Sequence, residues 1–400
     1  MKKAILWMIV VLVFTSLAIY STGCKTEETG ENVTEDVTEE VVESEDEAII
    51  EEEEEAAENE KELKIGYVNK FLNIDWFQNE EQGIKDFCAL NDAEYIGAVD
   101  ANNDLEKFLA GVDQMISKGA NALALVVPNP SIGPAVADKC YDAGVAMVTI
   151  DDPFLDSEGN QIPHTGMNGL QAGNIAGEEA AKYMIENGYD QINDGTVFIY
   201  SMSVDQIPPC KDRNDGFTAG LADNLPDWDF DNNFQRIDFS ASGNVVEEAI
   251  ESAAAVFQSQ PDVEIWIVYS CDDAGAVGAS LAMTERNIDT NSLAIPQNGA
   301  SPVITEWQKG NPYIKFSITQ FSWAHGFVGA RLLYDQVING MEVAENTLLP
   351  AMLLTPEKAE ELYPDGVVTF GRPADMEDII DSKDPDKFYT IEDFIPNYLP

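Results

Sequence analysis

The chain has 400 residues, of which 73 are Asp or Glu and 22 are Lys or Arg, for a formal net charge of −51 at pH 7, and 44% are hydrophobic. That charge excludes nucleic acid and anionic lipid head groups as electrostatic partners, while the apolar content is ample for globular packing. With two histidines, and no GxSxG, glycine-rich phosphate loop or HExxH motif, the chain lacks the common catalytic signatures.

In chain order, Lys2 and Lys3 precede an apolar run from Ala4 to Tyr20, and Ser21-Thr22-Gly23 supply small residues before Cys24. This arrangement reads as an export signal and resembles a bacterial lipoprotein signal, with Ser21 in place of the preferred aliphatic residue. The resemblance implies removal of residues 1–23, lipidation of Cys24, and a chain anchored to the cell membrane outside the cytoplasm, at the cell surface or in the periplasm. Residues 25–64 hold nineteen acids, three lysines and no aromatic residue. Such a stretch buries too little apolar surface to offset its ordering entropy, so residues 24–62 are expected to be a disordered, self-repelling tether. Residues 65–400 still carry 54 acids against 17 bases, a net charge of −37.

From Leu63 onward, strand and helix patterns alternate. Strands are expected at 64–68, 122–127, 145–150, 195–200, 264–269, 292–296 and 313–318. Helices are expected at about 77–90, 132–143, 172–187, 245–258 and 327–339. The clearest helix carries Leu105, Phe108, Leu109, Val112, Met115 and Ile116 on one face. This alternation predicts parallel sheets covered on both faces, and the length calls for two α/β domains. Cys88, Cys140, Cys210 and Cys271 lack metal-ligand spacing, and buried thiols are expected over a disulfide. The run Asp227-Trp228-Asp229-Phe230-Asp231 alternates carboxylates like a calcium loop but has Asn232 where glycine belongs, so an acidic surface turn is expected. No metal or cofactor is predicted.

Ligands of open parallel sheets bind beyond the carboxyl ends of the strands. There the first strand delivers Lys70, with Trp76-Phe77 opening the next helix. Another strand delivers Asp151-Asp152, and a third Cys271-Asp272-Asp273. Carboxylates accept from sugar hydroxyls, lysine and arginine donate to them, and an aromatic face covers the C–H side of a pyranose ring. Asp151 and Asp273 also fit plain roles as turn or cap residues.

The segments KIGYVNKFLNIDWFQ, VVPNP, VTIDDPF, Arg213-x-x-Gly216, WIVYSCDD and QNGAS, in this order and spacing, resemble the arabinose-binding branch of the type I periplasmic sugar-binding proteins, receptors of ABC importers. The resemblance spans roughly residues 63–365. It implies two doubly wound Rossmann-like lobes joined by three crossover segments, closing on a monosaccharide, with residues 63–167 plus 321–349 in the first lobe and 168–320 plus 350–400 in the second. It assigns ligand contacts to Lys70, Trp76, Phe77, Asp151, Asp152, Arg213, Asp272 and Asn298, and places Asn168 and Gln320 at the crossovers. The chain departs from the family at Ile74-Asp75, where a glutamate is usual, at Cys271-Asp272 in place of Met-Asn, and at Ser301 in place of an aspartate. The implied partners are an arabinose- or galactose-like monosaccharide and a membrane permease, with the receptor a monomer. The same residues are compatible with a sugar or sugar-like signal receptor serving a chemoreceptor or sensor kinase.

Overall fold

The computed structural model describes residues 62–205, 207–238 and 245–395. The expected signal, Cys24 and most of the acidic tether lie outside the described residues. Among the described residues no helix is long and apolar enough to cross a membrane.

Six parallel strands form the first sheet, in the order β12-β5-β4-β3-β1-β2. They are β1 (Lys64–Asn69), β2 (Glu94–Asp100), β3 (Ala122–Val126), β4 (Ala146–Ile150), β5 (His164–Met167) and β12 (Asn346–Leu349). The inner strands are near-continuous apolar runs because both faces are covered. Ile65 and Tyr67 face one layer, formed by α1 (Asp75–Leu90) and α10 (Ser322–Val337). Val68 faces the other, formed by α2 (Leu105–Ser117) and α3 (Gly133–Ala143), as the two-residue period of a strand requires.

The second lobe is built on β6 (Val197–Ser203), β7 (Phe234–Asp238), β8 (Ile265–Ser270) and β9 (Leu293–Ile295), parallel in the order β7-β6-β8-β9. Past β9 the chain continues into a small sheet of β10 (Gln297–Asn298), β11 (Ser317–Thr319) and antiparallel β13 (Met352–Leu354). Helices α4 (Gly169–Glu186) and α5 (Pro208–Asn224) cover one face. The short α6 (Phe230–Asn233) precedes β7, and α7 (Val246–Ser259) and α8 (Asp273–Arg286) cover the other face. The α9 helix (Ser301–Gln308) follows β10. The chain passes between lobes from β5 to α4, from β11 to α10, and from β12 to β13, the three crossovers that the resemblance implies.

Several elements differ from the sequence reading. The predicted strand at 313–318 shortens to β11, because Tyr313 and Ile314 fill the core beside α8. Helix α5 has no apolar periodicity to reveal it. It forms because glycines let it meet α4 backbone to backbone: a Cβ on Gly173 would lie 1.9 Å from the Arg213 carbonyl oxygen, and one on Gly216 2.2 Å from that of Leu170. The C-terminal stretch, expected in the second lobe, does not stay there. After α11 (Pro356–Leu362) the chain returns to the first lobe, where Met376 of α12 (Met376–Asp381), Tyr389 and Ile391 are buried in the first-lobe core. All four described cysteines are free thiols. Burial pushes the Cys88 and Cys140 thiols up to about 12.

Candidate functional site

The first-lobe wall is set by how closely α1 and α10 approach. A Cβ on Gly83 would lie 2.0 Å from the Trp323 carbonyl oxygen, and one on Gly326 1.8 Å from that of Glu80, so only glycine permits this crossing. The crossing brings Glu80 and His325 beneath the end of β4. There Asp151 adopts a left-handed φ of 60°, which Asp tolerates, and presents its carboxylate inward.

Asp151 is engaged by the protein itself. It accepts from Trp76 Nε1 at 2.5 Å and from His325 Nδ1 at 2.9 Å, and is hydrogen-bonded to Glu80. Burial alone would raise its pKa, but these bonds hold the carboxyl well below the usual carboxylate range. Burial and the Asp151 charge push Glu80 up, so Glu80 is the protonated member and donates to Asp151. Glu80 Oε2 accepts from the Tyr67 hydroxyl at 2.7 Å, and Asn69 Nδ2 donates to that hydroxyl. A carboxylate with three protein donors has little capacity left for sugar hydroxyls; its effect is to fix the indole of Trp76. Glu80, Asp151 and His325 place one ligand atom each within 4.8 Å of one another, a span that suits a small cation. Protons from Glu80, His325 and Trp76 already satisfy the buried charge, so the donor set fits a hydrogen-bond network better than a metal centre.

Asp152 and Lys70 form the neighbouring ion pair, largely withdrawn from water. Burial opposes the lysine charge, but Asp152 beside it, with the Asp151 carboxylate beyond, raises the Lys70 pKa above its ordinary value. Lys70 Nζ also sits 5.4 Å from the Phe77 ring centroid. Phe77 itself is buried in the first-lobe core, so it supports Lys70 from below.

On the second-lobe side, Arg213 projects from α5. Its Nη1 donates to the Cys271 carbonyl at 2.5 Å, and its Nε lies 3.0 Å from Met167 Sδ beside the first crossover. Asp272 caps α8, accepting from Gly275 N at 2.8 Å through one oxygen. Burial raises its pKa, opposed by that N–H and by Arg213. Asp273 accepts from Gly299 N at 3.2 Å and Ala300 N at 2.8 Å, and burial pushes its carboxyl up to about 7. Those bonds clamp the turn after Asn298, whose φ of 130° is costly for a residue with a Cβ. The Cys210 and Cys271 thiols hydrogen-bond each other near Arg213, lowering the Cys210 pKa.

At the crossovers, Asn168 caps α4, accepting from Gln171 N at 3.0 Å. Gln320 is 1% exposed, and neither its Oε1 nor its Nε2 has a partner among the described residues; the same is true of Asn298 Oδ1. Buried amide atoms without partners are rare and expensive, and water or a bound polar ligand can supply the missing bonds. The lobes meet across the cleft. Ser301 Oγ donates to Asp75 Oδ2 at 3.2 Å, so two positions where the chain departs from the family touch each other. A pocket of about 180 Å³, lined by Asp151, His164, Met167, Asn168 and Asp212 among others, opens beside the first crossover.

Of the ten residues expected at the site, Lys70, Trp76, Phe77, Asp151 and Asp152 thus cluster on the first-lobe side. Arg213, Asp272 and Asn298 occupy the second, and Asn168 and Gln320 the joints. Sequence reasoning missed Glu80, His325 and Tyr67. Glu80 lies one helical turn after Trp76 on α1, a signal that periodicity offered, whereas nothing local marked His325. Asp229 caps α6, accepting from Asn232 N at 3.2 Å, so the acidic turn holds backbone as expected.

Two parallel α/β lobes, three crossovers and an interlobe cleft lined with polar groups define the type I class of hinged solute receptors. Residues 65–341 match the profile of the periplasmic binding protein domain, and the chain belongs to that family. An "ABC transporter L-arabinose-binding periplasmic protein" of Azospirillum brasilense is 28% identical over 73% of this chain and 86% of its own. The "L-arabinose-binding periplasmic protein" of Escherichia coli K12 is 23% identical over 75% and 90%. Among solved structures, an arabinose-binding protein of Geobacillus stearothermophilus superposes with a TM-score of 0.60 at 17% identity, covering 76% of this chain and 99% of its own. The resemblance read from the sequence is thereby confirmed, and the family is one of binding proteins rather than enzymes.

Proposed function

We propose that this chain is the sugar receptor of an ABC importer, closing its lobes on an arabinose- or galactose-like pentose or hexose and presenting the closed form to a membrane permease. The observation that carries the reading is the set of buried amide atoms on Gln320 and Asn298 without partners among the described residues, at the carboxyl ends of β11 and β10, together with the Lys70–Asp152 pair at the carboxyl ends of β1 and β4. Ring hydroxyls would pair with those amide atoms, with Asp152, with Asp272 and with Arg213, while the Trp76 face would cover the ring carbons. A ligand that touches both lobes has a higher affinity for the closed arrangement, and this difference drives the hinge. Asp75, Cys271-Asp272 and Ser301 would tune which hydroxyls are read. Anchoring by lipid at Cys24, through the tether of residues 24–62, completes the proposal and would keep the receptor near its permease.

A panel of pentoses and hexoses tested by thermal shift and calorimetry decides the matter. The expected result is saturable binding of at least one arabinose- or galactose-like sugar, with a rise in melting temperature. Absence of any response across the panel would remove the sugar reading. Mass spectrometry of the native N-terminus tests the anchor separately, an unacylated first residue being incompatible with it.

A further inference from the structure

The segment beyond α11 lies past the matched family region, which ends at residue 341, yet it reaches the cleft. Tyr363, Val368 and Phe370 complete a small second-lobe core with Ile304, Leu354 and Ala359. Trp76 of the first lobe packs against this core. The Phe370 ring is fully buried and meets the Trp76 ring edge-on, 5.4 Å between centroids, while His325 meets Trp76 at 5.5 Å. Phe370 has a left-handed φ of 46°, a conformation that a bulky residue keeps only when its surroundings over-determine it. Its carbonyl accepts from Trp323 N at 3.3 Å, and a Cβ on Gly371 would lie 2.7 Å from the Phe321 side chain, so the turn is wedged against the start of α10.

Two residues on, the segment is bolted to the first lobe. Arg372 forms a two-pronged pair with Asp86, Nε at 2.7 Å and Nη2 at 3.1 Å, and Trp323 Nε1 donates to the same carboxylate at 2.8 Å. Beyond it, Asn91 and Tyr389 exchange side-chain to backbone bonds at 2.8 and 3.2 Å, and Phe394 packs edge-on against Trp323. The chain therefore crosses between lobes a fourth time with both ends fixed, and Phe370 sits at the crossing point. Opening the hinge must pull either Phe370 from the second-lobe core or Arg372 from Asp86.

We infer that residues 366–395 form an interlobe strap that limits opening and holds Trp76 in its ring-covering orientation, with Phe370 as the positioning residue. The role of Phe370 rests on the proposed sugar reading; the limit on opening does not. The test uses the full chain, with Phe370→Ala, Phe370→Tyr and Arg372→Met, and with Phe394→Ala to loosen the strap should Arg372→Met fail to fold. Small-angle scattering without sugar reads the opening, and stopped-flow binding with the sugar found in the panel reads its rates. Expected are a larger ligand-free radius of gyration in Arg372→Met or Phe394→Ala, and about a tenfold faster sugar dissociation in Phe370→Ala that Phe370→Tyr restores to within about threefold. Unchanged scattering overturns the strap. Wild-type dissociation in Phe370→Ala, with wild type itself binding sugar, overturns the positioning role and leaves the sugar reading intact. If wild type binds no sugar, the sugar reading and the Phe370 role fall together, and scattering alone still decides the strap.

Discussion

Substitutions at Asp151 separate the two reasons why this residue is needed. Its carboxylate satisfies Trp76 Nε1, His325 Nδ1 and the Glu80 carboxyl in a buried setting, and its backbone is left-handed at φ 60°. Asp151→Asn keeps an acceptor for Trp76, and its amide can donate to His325 once the imidazole shifts its proton to Nε2. The loss is the charge-assisted part of these bonds, about 1–2 kcal/mol. Asp151→Ala leaves three buried donors unpaired, at about 1–3 kcal/mol each and less than additively, and keeps a Cβ in the left-handed region without the polar side chain that lets aspartate tolerate it, at about 1 kcal/mol relative to glycine. Asp151→Gly loses the same bonds without that backbone cost. The expected order of stability is wild type, Asn, Gly, Ala, spanning roughly 4–6 kcal/mol from first to last. Urea unfolding followed by tryptophan fluorescence at pH 7 measures it. An alanine variant within about 1 kcal/mol of wild type, or one as stable as the glycine variant, refutes the reasoning.

Asp152→Ala leaves Lys70 without its buried partner and removes an acceptor facing the cleft, so sugar affinity should fall by about 2–5 kcal/mol in calorimetry; near wild-type affinity would take Asp152 out of the site. Asp273, raised to about 7 in the folded protein, favours folding most below its unfolded pKa near 4, and this stabilisation is lost as pH rises to 7. Comparing Asp273→Asn with wild type from pH 4.5 to 7.5 should therefore show the wild type losing relative stability, by on the order of 3 kcal/mol, and a flat difference would contradict the burial of that carboxyl. Thiol labelling of the native protein should modify Cys210 first, because its pKa is lowered and it is half-buried, with Cys88 and Cys140 reacting only on unfolding. Equal rates at all three would oppose this packing.

The alternation of strands and helices, the parallel sheets, and the residues that strand ends deliver toward the cleft were legible in the amino-acid sequence. Those features are local: a buried strand must be apolar throughout, and the residue after it must face the crevice, so Lys70, Asp151-Asp152 and Asp272 could be placed from chain position alone. Helix α5 escaped detection because glycine contacts with α4, not an apolar stripe, hold it in place. The network beneath Asp151 became visible in the folded chain alone, since Glu80 and His325 lie 245 residues apart and meet through the Gly83–Gly326 crossing. The folded chain likewise shows that Asp151 serves Trp76, that Asp75 meets Ser301, and that the chain after Tyr363 returns to the first lobe. Each of these depends on where two distant segments come to lie, and a contact of that kind leaves no periodicity or spacing in either segment for a sequence to display.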